Sequence, residues 1–124
     1  MEKQSASVQR MLELKICQPS DIIRARAEAE KLAAPESAAK LRRAEKLFGA
    51  MGESSRMKIL LLLSKGEMCV CELESALEMP QPTVSHNLGV LEQAGLLKRS
   101  KKGRWAFYEA TDSPALELLR NLTS

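Results

Sequence analysis

The stretch QPTVSHNLGVLEQAGLLKRS, from Gln81 to Ser100, decides the fold. Its apolar residues Val84, Leu88 and Leu91 recur at i, i+4 and i+7, which places them on one face of a helix. Pro82 suits the first turn of that helix, where a missing N–H costs nothing, and Gly95 stands where a left-handed C-terminal cap is wanted. Away from the stripe, the start of the helix is small and polar: Gln81, Thr83, Ser85, His86 and Asn87. These side chains hydrogen-bond base edges and phosphates, and the N-terminal part of such a helix is what enters a major groove.

Downstream the period changes. Residues 96–99 and 104–110 read as strands, the second carrying Trp105, Phe107 and Tyr108, and they flank Ser100-Lys101-Lys102-Gly103 as a two-stranded hairpin with a basic tip. Lys98, Arg99, Lys101, Lys102 and Arg104 fall between positions 96 and 105 with no acid among them. Such a cluster favours phosphate and makes binding salt-dependent. A cationic hairpin tip alone is as readily a solvated turn, and a lone His86 an ordinary surface histidine. Upstream, Val70, Leu73, Ala76 and Leu77 mark a helix at about 70–78, joined through Met79-Pro80 to the next. Two short helices followed by a basic hairpin are the order of a winged helix-turn-helix, mostly α with a small β-hairpin.

Further out, Leu41, Ala44, Leu47, Phe48 and Met51 form a core-facing helical stripe. Ser54 or Ser55 is expected to cap a short buried helix through Leu63. Ser113-Pro114 opens a last helix whose apolar residues are Leu116, Leu118, Leu119 and Leu122. Residues 1–35 form a helical extension, with helices at about 4–16 and 21–33 separated by Pro19-Ser20-Asp21, which can cap the second. Ile22, Ile23 and Leu32 are too few to bury much, so the extension needs the main domain, or another protomer, to pack against. Residues 36–124 are expected to form the winged helix-turn-helix DNA-binding domain, and its terminal helices, too apolar to stand alone, are expected to make it the dimerisation domain as well.

Composition sets the bounds. A chain of 124 residues, 44% apolar, fits one compact domain with an appendage. Its net charge is only +3, so DNA binding must rest on where the charge sits. The first sixteen residues show no signal-peptide pattern, and the apolar run Ile59–Leu63 is far too short to span a bilayer. A cytoplasmic location is expected, with Cys17, Cys69 and Cys71 reduced. One histidine, with no convergent acid pair or phosphate loop, offers an enzyme little to work with.

From Leu41 to Thr111 the chain resembles the ArsR/SmtB family of metal-responsive repressors. The segments LFGAMGESSRMKILLLL, EMCVCELESAL, QPTVSHNLGVLEQAGLLKRS and KKGRWAFYEAT carry the likeness. The second and third nearly reproduce the family's ELCVCDL box and its TVSHHLxxL recognition helix. The resemblance implies a homodimer that blocks a promoter on double-stranded operator DNA until an inducing ion binds. Asn87, where a second histidine is common, and Gly89 inside the helix depart from the pattern.

Cys69 and Cys71 are two residues apart. In mid-helix their side chains would point about 200° apart. At a helix start both sulfurs can converge, where the helix dipole favours thiolates. The residues alone leave open two buried apolar cysteines, a redox pair or a metal site. In the family's arsenic-sensing branch a third cysteine follows three residues after the second; here that position is Glu74. In the cadmium/lead-sensing branch, cysteines on an N-terminal extension reach the pair of the other protomer, and Cys17 lies on such an extension. The resemblance therefore implies an inter-subunit three-thiolate site: Cys17 from one chain, Cys69 and Cys71 from the other. Three sulfurs suit As(III), Sb(III), Bi(III) or Pb(II), whereas Cd(II) wants a fourth ligand from water, Glu72 or Glu74. The family's other metal site uses histidines on the last helix, and no histidine follows His86. The last helix is therefore expected to serve dimerisation, with the helix at about 37–51. A repressor switched by a disulfide from Cys17 to Cys69 or Cys71, and a winged-helix protein-interaction module, remain as alternatives.

Overall fold

Helix boundaries follow from local capping chemistry. In the computed structural model, which describes residues 5–124, Ser5 Oγ accepts the Val8 N–H and starts α1 (Ala6–Glu13). Beyond its end Lys15 adopts the left-handed conformation at φ 59°, and the Ile16 and Lys15 N–H groups return to the Met11 and Leu12 carbonyls. This is the paired bonding of a Schellman motif. The chain turns there, and Cys17 follows at once. Helix α2 (Pro19–Ala33) has Pro19 at its start and Gln18 as its cap, with the Asp21 carboxylate accepting the Gln18 N–H at 2.9 Å. Asp21 thus supports the cap from inside the first turn rather than capping the helix itself. No residue of α1 or α2 is buried.

The chain divides into two compact units, one ending at Arg42 and the other running from Arg43 to Ser124. Helix α3 (Pro35–Met51) contributes to both. In the second unit follow α4 (Ser54–Leu63), β1 (Met68–Cys69), α5 (Val70–Leu77), α6 (Gln81–Gln93), β2 (Leu97–Lys102), β3 (Trp105–Ala110) and α7 (Pro114–Thr123). Glu53 caps α4, its carboxylate accepting the N–H groups of Ser55 and Arg56, so neither Ser54 nor Ser55 is the cap. A carboxylate at this position accepts two otherwise unpaired N–H groups and meets the positive end of the helix dipole. Those two bonds, opposed by partial desolvation, hold the Glu53 carboxyl below the usual range.

Ile59, Leu60, Leu63, Leu73, Val84, Leu88, Leu91 and Leu96 are fully buried and form the centre of the core, with Leu116 and Leu119 of α7 joining its edge. The stripe Val84, Leu88, Leu91 therefore faces inward as its spacing requires. Gly95, at φ +80°, ends α6 in the left-handed conformation. The α3 stripe divides instead: Met51 is buried and Leu47 packs against the core, but Leu41 and Phe48 are exposed. The expectation that all five face the core is corrected. Periodicity marks an apolar face; it does not say whether the same chain covers it.

The sheet is three-stranded and antiparallel, in the order β1-β3-β2. Strand β2 continues through Lys102, which pairs with Trp105, so only Gly103 and Arg104 form the turn. Ser100, Lys101 and Lys102 are strand residues, correcting the longer tip read from sequence. Positive φ at Gly103 alone, 63°, is the pattern of a two-residue II′ turn. The two-residue β1 had no signal of its own in the sequence.

Candidate functional site

Helix α5 packs against α6, and α6 against α4 and β2. The turn between α5 and α6 is made by Glu78, left-handed at φ 52°, whose successor Met79 bonds back to the Glu74 carbonyl. On α6, Gln81, Thr83 and His86 are exposed and Ser85 is half-buried; Gln81 Nε2 donates to Ser85 Oγ at 2.8 Å. Asn87 is different. It is 4% exposed, and its Oδ1 accepts a hydrogen bond from Arg56 Nη1 at 3.2 Å. Its position toward Arg56, close to the Val84–Leu88 face, removes it from the exposed row in which the sequence grouped it.

The wing residues Lys98, Arg99, Lys101, Lys102 and Arg104 are all exposed. The fold returns acids to a segment that has none in sequence. Lys98 faces Glu109 across the hairpin at 3.3 Å, Arg99 lies 3.7 Å from Glu92, and Lys102 pairs with Glu67. Lys102 also lies over the Phe107 ring, 4.8 Å from its centroid, and Arg104 over Trp105 at 5.7 Å. Among the described residues, Lys101 and Arg104 form no ion pair.

Cys69 and Cys71 converge. Cys69 ends β1 and is the N-cap of α5 in extended conformation, φ −87° and ψ 169°, while Cys71 lies in the first turn. Their sulfurs are 3.6 Å apart. Glu72 closes a reciprocal capping box: its carboxylate accepts the Cys69 N–H at 3.0 Å while the Cys69 sulfur faces the Glu72 N–H. The Cys69–Glu72 spacing is that of a Ser/Thr-x-x-Glu box, a signal the sequence carried with cysteine in the first place. The Glu72 carboxyl is held low by its bonds to Cys69, with Lys102 adding to the effect. At Cys69 the Glu72 N–H pulls the thiol down, but desolvation, the Glu72 carboxylate and Cys71 outweigh it, and the thiol stands above its ordinary value. The helix-start N–H thus favours the thiolate of Cys69, and the other three influences oppose it. Through the Cys69–Phe107 pairing, this residue is also joined to the wing strand β3.

Cys17 lies in the first unit, half-buried, between the left-handed Lys15 and the Gln18 cap. Among the described residues, no three of His, Cys, Asp and Glu within one chain stand close enough to hold a metal ion. The Cys69–Cys71 pair nonetheless suits a thiophilic ion. Two thiolates, each about 2.3 Å from a tetrahedral centre, stand about 3.8 Å apart, close to the observed 3.6 Å. No described helix is long and apolar enough to cross a membrane.

Residues 53–99 match the model of the bacterial regulatory protein, arsR family. An uncharacterised HTH-type transcriptional regulator, MJ1325 of Methanocaldococcus jannaschii, is 42% identical over 82 residues, covering 65% of this chain and 92% of that protein. The arsenical resistance operon repressor of Escherichia coli is 44% identical over 63 residues, 50% of this chain and 54% of the repressor. The cadmium resistance transcriptional regulatory protein CadC homolog of Staphylococcus aureus is 35% identical over 75 residues, 60% of this chain and 62% of that protein. The chain thus spans little more than half the length of these last two. Among solved structures, the homodimeric winged helix-turn-helix DNA-binding domain Mb0332 of Mycobacterium bovis superposes with a TM-score of 0.66 at 27% identity, covering 73% of this chain and 83% of that one. Matched through its recognition helix and along nearly the whole length of one relative, this winged helix-turn-helix chain belongs to the ArsR family of transcriptional regulators.

Proposed function

We propose that the protein is a cytoplasmic repressor that binds operator DNA as a homodimer and leaves it when a thiophilic metal or metalloid ion binds. The ion is held by Cys69 and Cys71 of one protomer and Cys17 of the other. The carrying observation is the 3.6 Å approach of the Cys69 and Cys71 sulfurs at the start of the first helix of the DNA-reading pair. That pair is short of a full ligand set, and a cysteine on the other protomer's extension would complete it. The names of the Escherichia coli and Staphylococcus aureus relatives favour arsenic and cadmium as the inducer class.

A bound ion would supply a fixed link between the sulfurs. The remaining steps belong to the chain. Cys69 is shared by β1 and the cap of α5, so fixing its sulfur bears on two neighbours: the wing through β3, and the recognition helix through α5. Gln81, Thr83, Ser85 and His86 are the groups offered to DNA from the helix. Lys98, Arg99, Lys101, Lys102 and Arg104 are offered from the wing. For induction the ion must favour the DNA-free arrangement, and DNA must then weaken ion binding by the same factor. A coupling of roughly 1–3 kcal/mol changes operator affinity about 5- to 150-fold.

The test is an anaerobic titration of the reduced protein with As(III), Pb(II) and Cd(II), read by sulfur-to-metal absorption, beside a Cys17→Ser variant. Saturation at one ion per protomer, weakened in the variant, is expected. Absorption unaffected by Cys17→Ser would remove that residue from the site, and no absorption with any of the ions would overturn the reading.

A further inference from the structure

Asn87 is the one buried polar residue among the described residues, and it lies in the middle of the recognition helix. A buried amide needs a partner, and the one it has is not local. Arg56, 31 positions away on α4, donates from Nη1 to Asn87 Oδ1 at 3.2 Å. The same guanidinium donates from Nε to the Ala50 carbonyl at 2.6 Å, and its Nη1 lies 3.9 Å from Glu53 Oε2. Ala50 stands in the last turn of α3, where carbonyls have no partner within the helix. The Arg56 side chain is only 17% exposed.

Guanidinium geometry gives this arrangement its directionality. The fork is planar and rigid, and every N–H on it is a donor. One fork therefore fixes two acceptors at a set separation: a carbonyl at the end of α3 and an amide oxygen on α6. Apolar packing holds α6 against α4 and α5, but packing alone permits small slides and rotations. Two directed bonds from one planar group do not. A recognition helix depends on such placement, because hydrogen bonds to base edges break on small displacements whereas flexible side chains follow a phosphate.

We propose that Arg56 is a positioning residue for sequence recognition: by bridging the end of α3 to Asn87 it sets where the recognition helix stands, and so separates operator from non-specific DNA. The inference rests on the DNA-binding part of the proposed function and is independent of ion sensing.

The experiment uses the full-length protein and, as operator, the duplex that the wild type selects from a randomised pool. Arg56→Met, Asn87→Leu and the double variant are compared for thermal midpoint, operator affinity and affinity for an unrelated duplex. Removing one partner strands the other in a buried place, so each single variant loses stability, and the matched apolar pair regains it. Operator affinity is expected to fall about tenfold in all three, a change of the size of one mismatched base pair, with non-specific affinity changed by no more than about twofold. A double variant that regains operator affinity along with stability would reduce the bridge to packing. An equal fall on both duplexes would reduce it to the removal of a charge. If Arg56→Met does not fold, Asn87→Leu decides alone: wild-type operator affinity in that variant overturns the proposal. A wild type that selects no sequence overturns the DNA-binding reading itself.

Discussion

Cys69 carries three duties in one residue. It ends a strand paired to the wing, caps α5 and supplies a sulfur 3.6 Å from that of Cys71. Its thiol is held above its ordinary value, because desolvation, Glu72 and Cys71 together outweigh the Glu72 N–H. Ion binding by such a thiol releases a proton, and raising the pH removes that competitor. The half-saturation concentration for Pb(II) is therefore expected to fall steadily between about pH 6 and pH 8; a titration flat across that range would exclude the thiols as ligands. The carboxyl of Glu53 illustrates the opposite sign. Its folded value is lowered by the N–H groups it caps, so its contribution is present above the usual glutamate range and is lost as pH falls through it. Glu53→Gln is expected to lower the thermal midpoint at neutral pH, with the gap to the wild type closing in acid. An equal gap at both pH values would show that the charge is not what matters. On the wing, Lys101 and Arg104 have no carboxylate partner among the described residues. Lys101→Gln or Arg104→Gln should each lower the slope of log affinity against log salt by about 0.9 per protomer, the mark of one phosphate fewer neutralised. Unchanged slopes would place these side chains off the DNA.

At the scale of elements, the two glycines around the recognition helix have different reasons to be there. Gly95 ends α6 at φ +80°, a conformation that costs most residues with a Cβ roughly 1–2 kcal/mol. Gly89 lies within α6 with normal backbone, and a Cβ built there meets no atom within 4 Å. Gly95→Ala should therefore destabilise the protein by about 1 kcal/mol, while Gly89→Ala should stabilise it by a similar amount through helix propensity. Thermal or urea unfolding of both variants checks the pair; a loss at Gly89 would mean that α6 needs its flexibility. The wing makes a related point. Its hairpin was legible from the aromatic residues of β3 and from Gly103, though with a longer tip than the two-residue turn that forms, but its third strand, Met68–Cys69, is only two residues long. So short a strand has no periodicity to read and exists because β3 offers a free edge.

At the scale of the whole molecule, apolar surface remains to be covered. Phe48, Leu118 and Leu122 are exposed around an apolar cleft on the second unit, whose floor includes Met51 and Leu119. In the homodimer proposed above, a second copy would cover this face; the Mycobacterium bovis domain is itself homodimeric. A carboxylate placed in such an apolar contact would be desolvated without a partner. Leu118→Asp is expected to shift the protein to monomer in sedimentation at micromolar concentration and to abolish operator binding, because two half-sites must be held together. A variant that stays dimeric would place the interface elsewhere.

What the sequence by itself determined is everything that depends on neighbours a few positions apart. The buried stripe Val84, Leu88, Leu91, the left-handed Gly95, the hairpin and the helix-start pairing of Cys69 with Cys71 all follow from helical or strand period and from turn chemistry. The resemblance to the ArsR family rested on the same local segments. Only the tertiary structure decided the rest. Arg56 meets Asn87 across 31 positions and Lys102 meets Glu67 across 35, and no local pattern announces either. The segment 96–105, free of acids in sequence, meets Glu67, Glu92 and Glu109 in space, and Asn87 turns from the exposed row toward the core. Periodicity says which side chains share a face; which partner that face meets depends on chain closure over long separations, where hydrogen-bond geometry and charge, not spacing, select the neighbour.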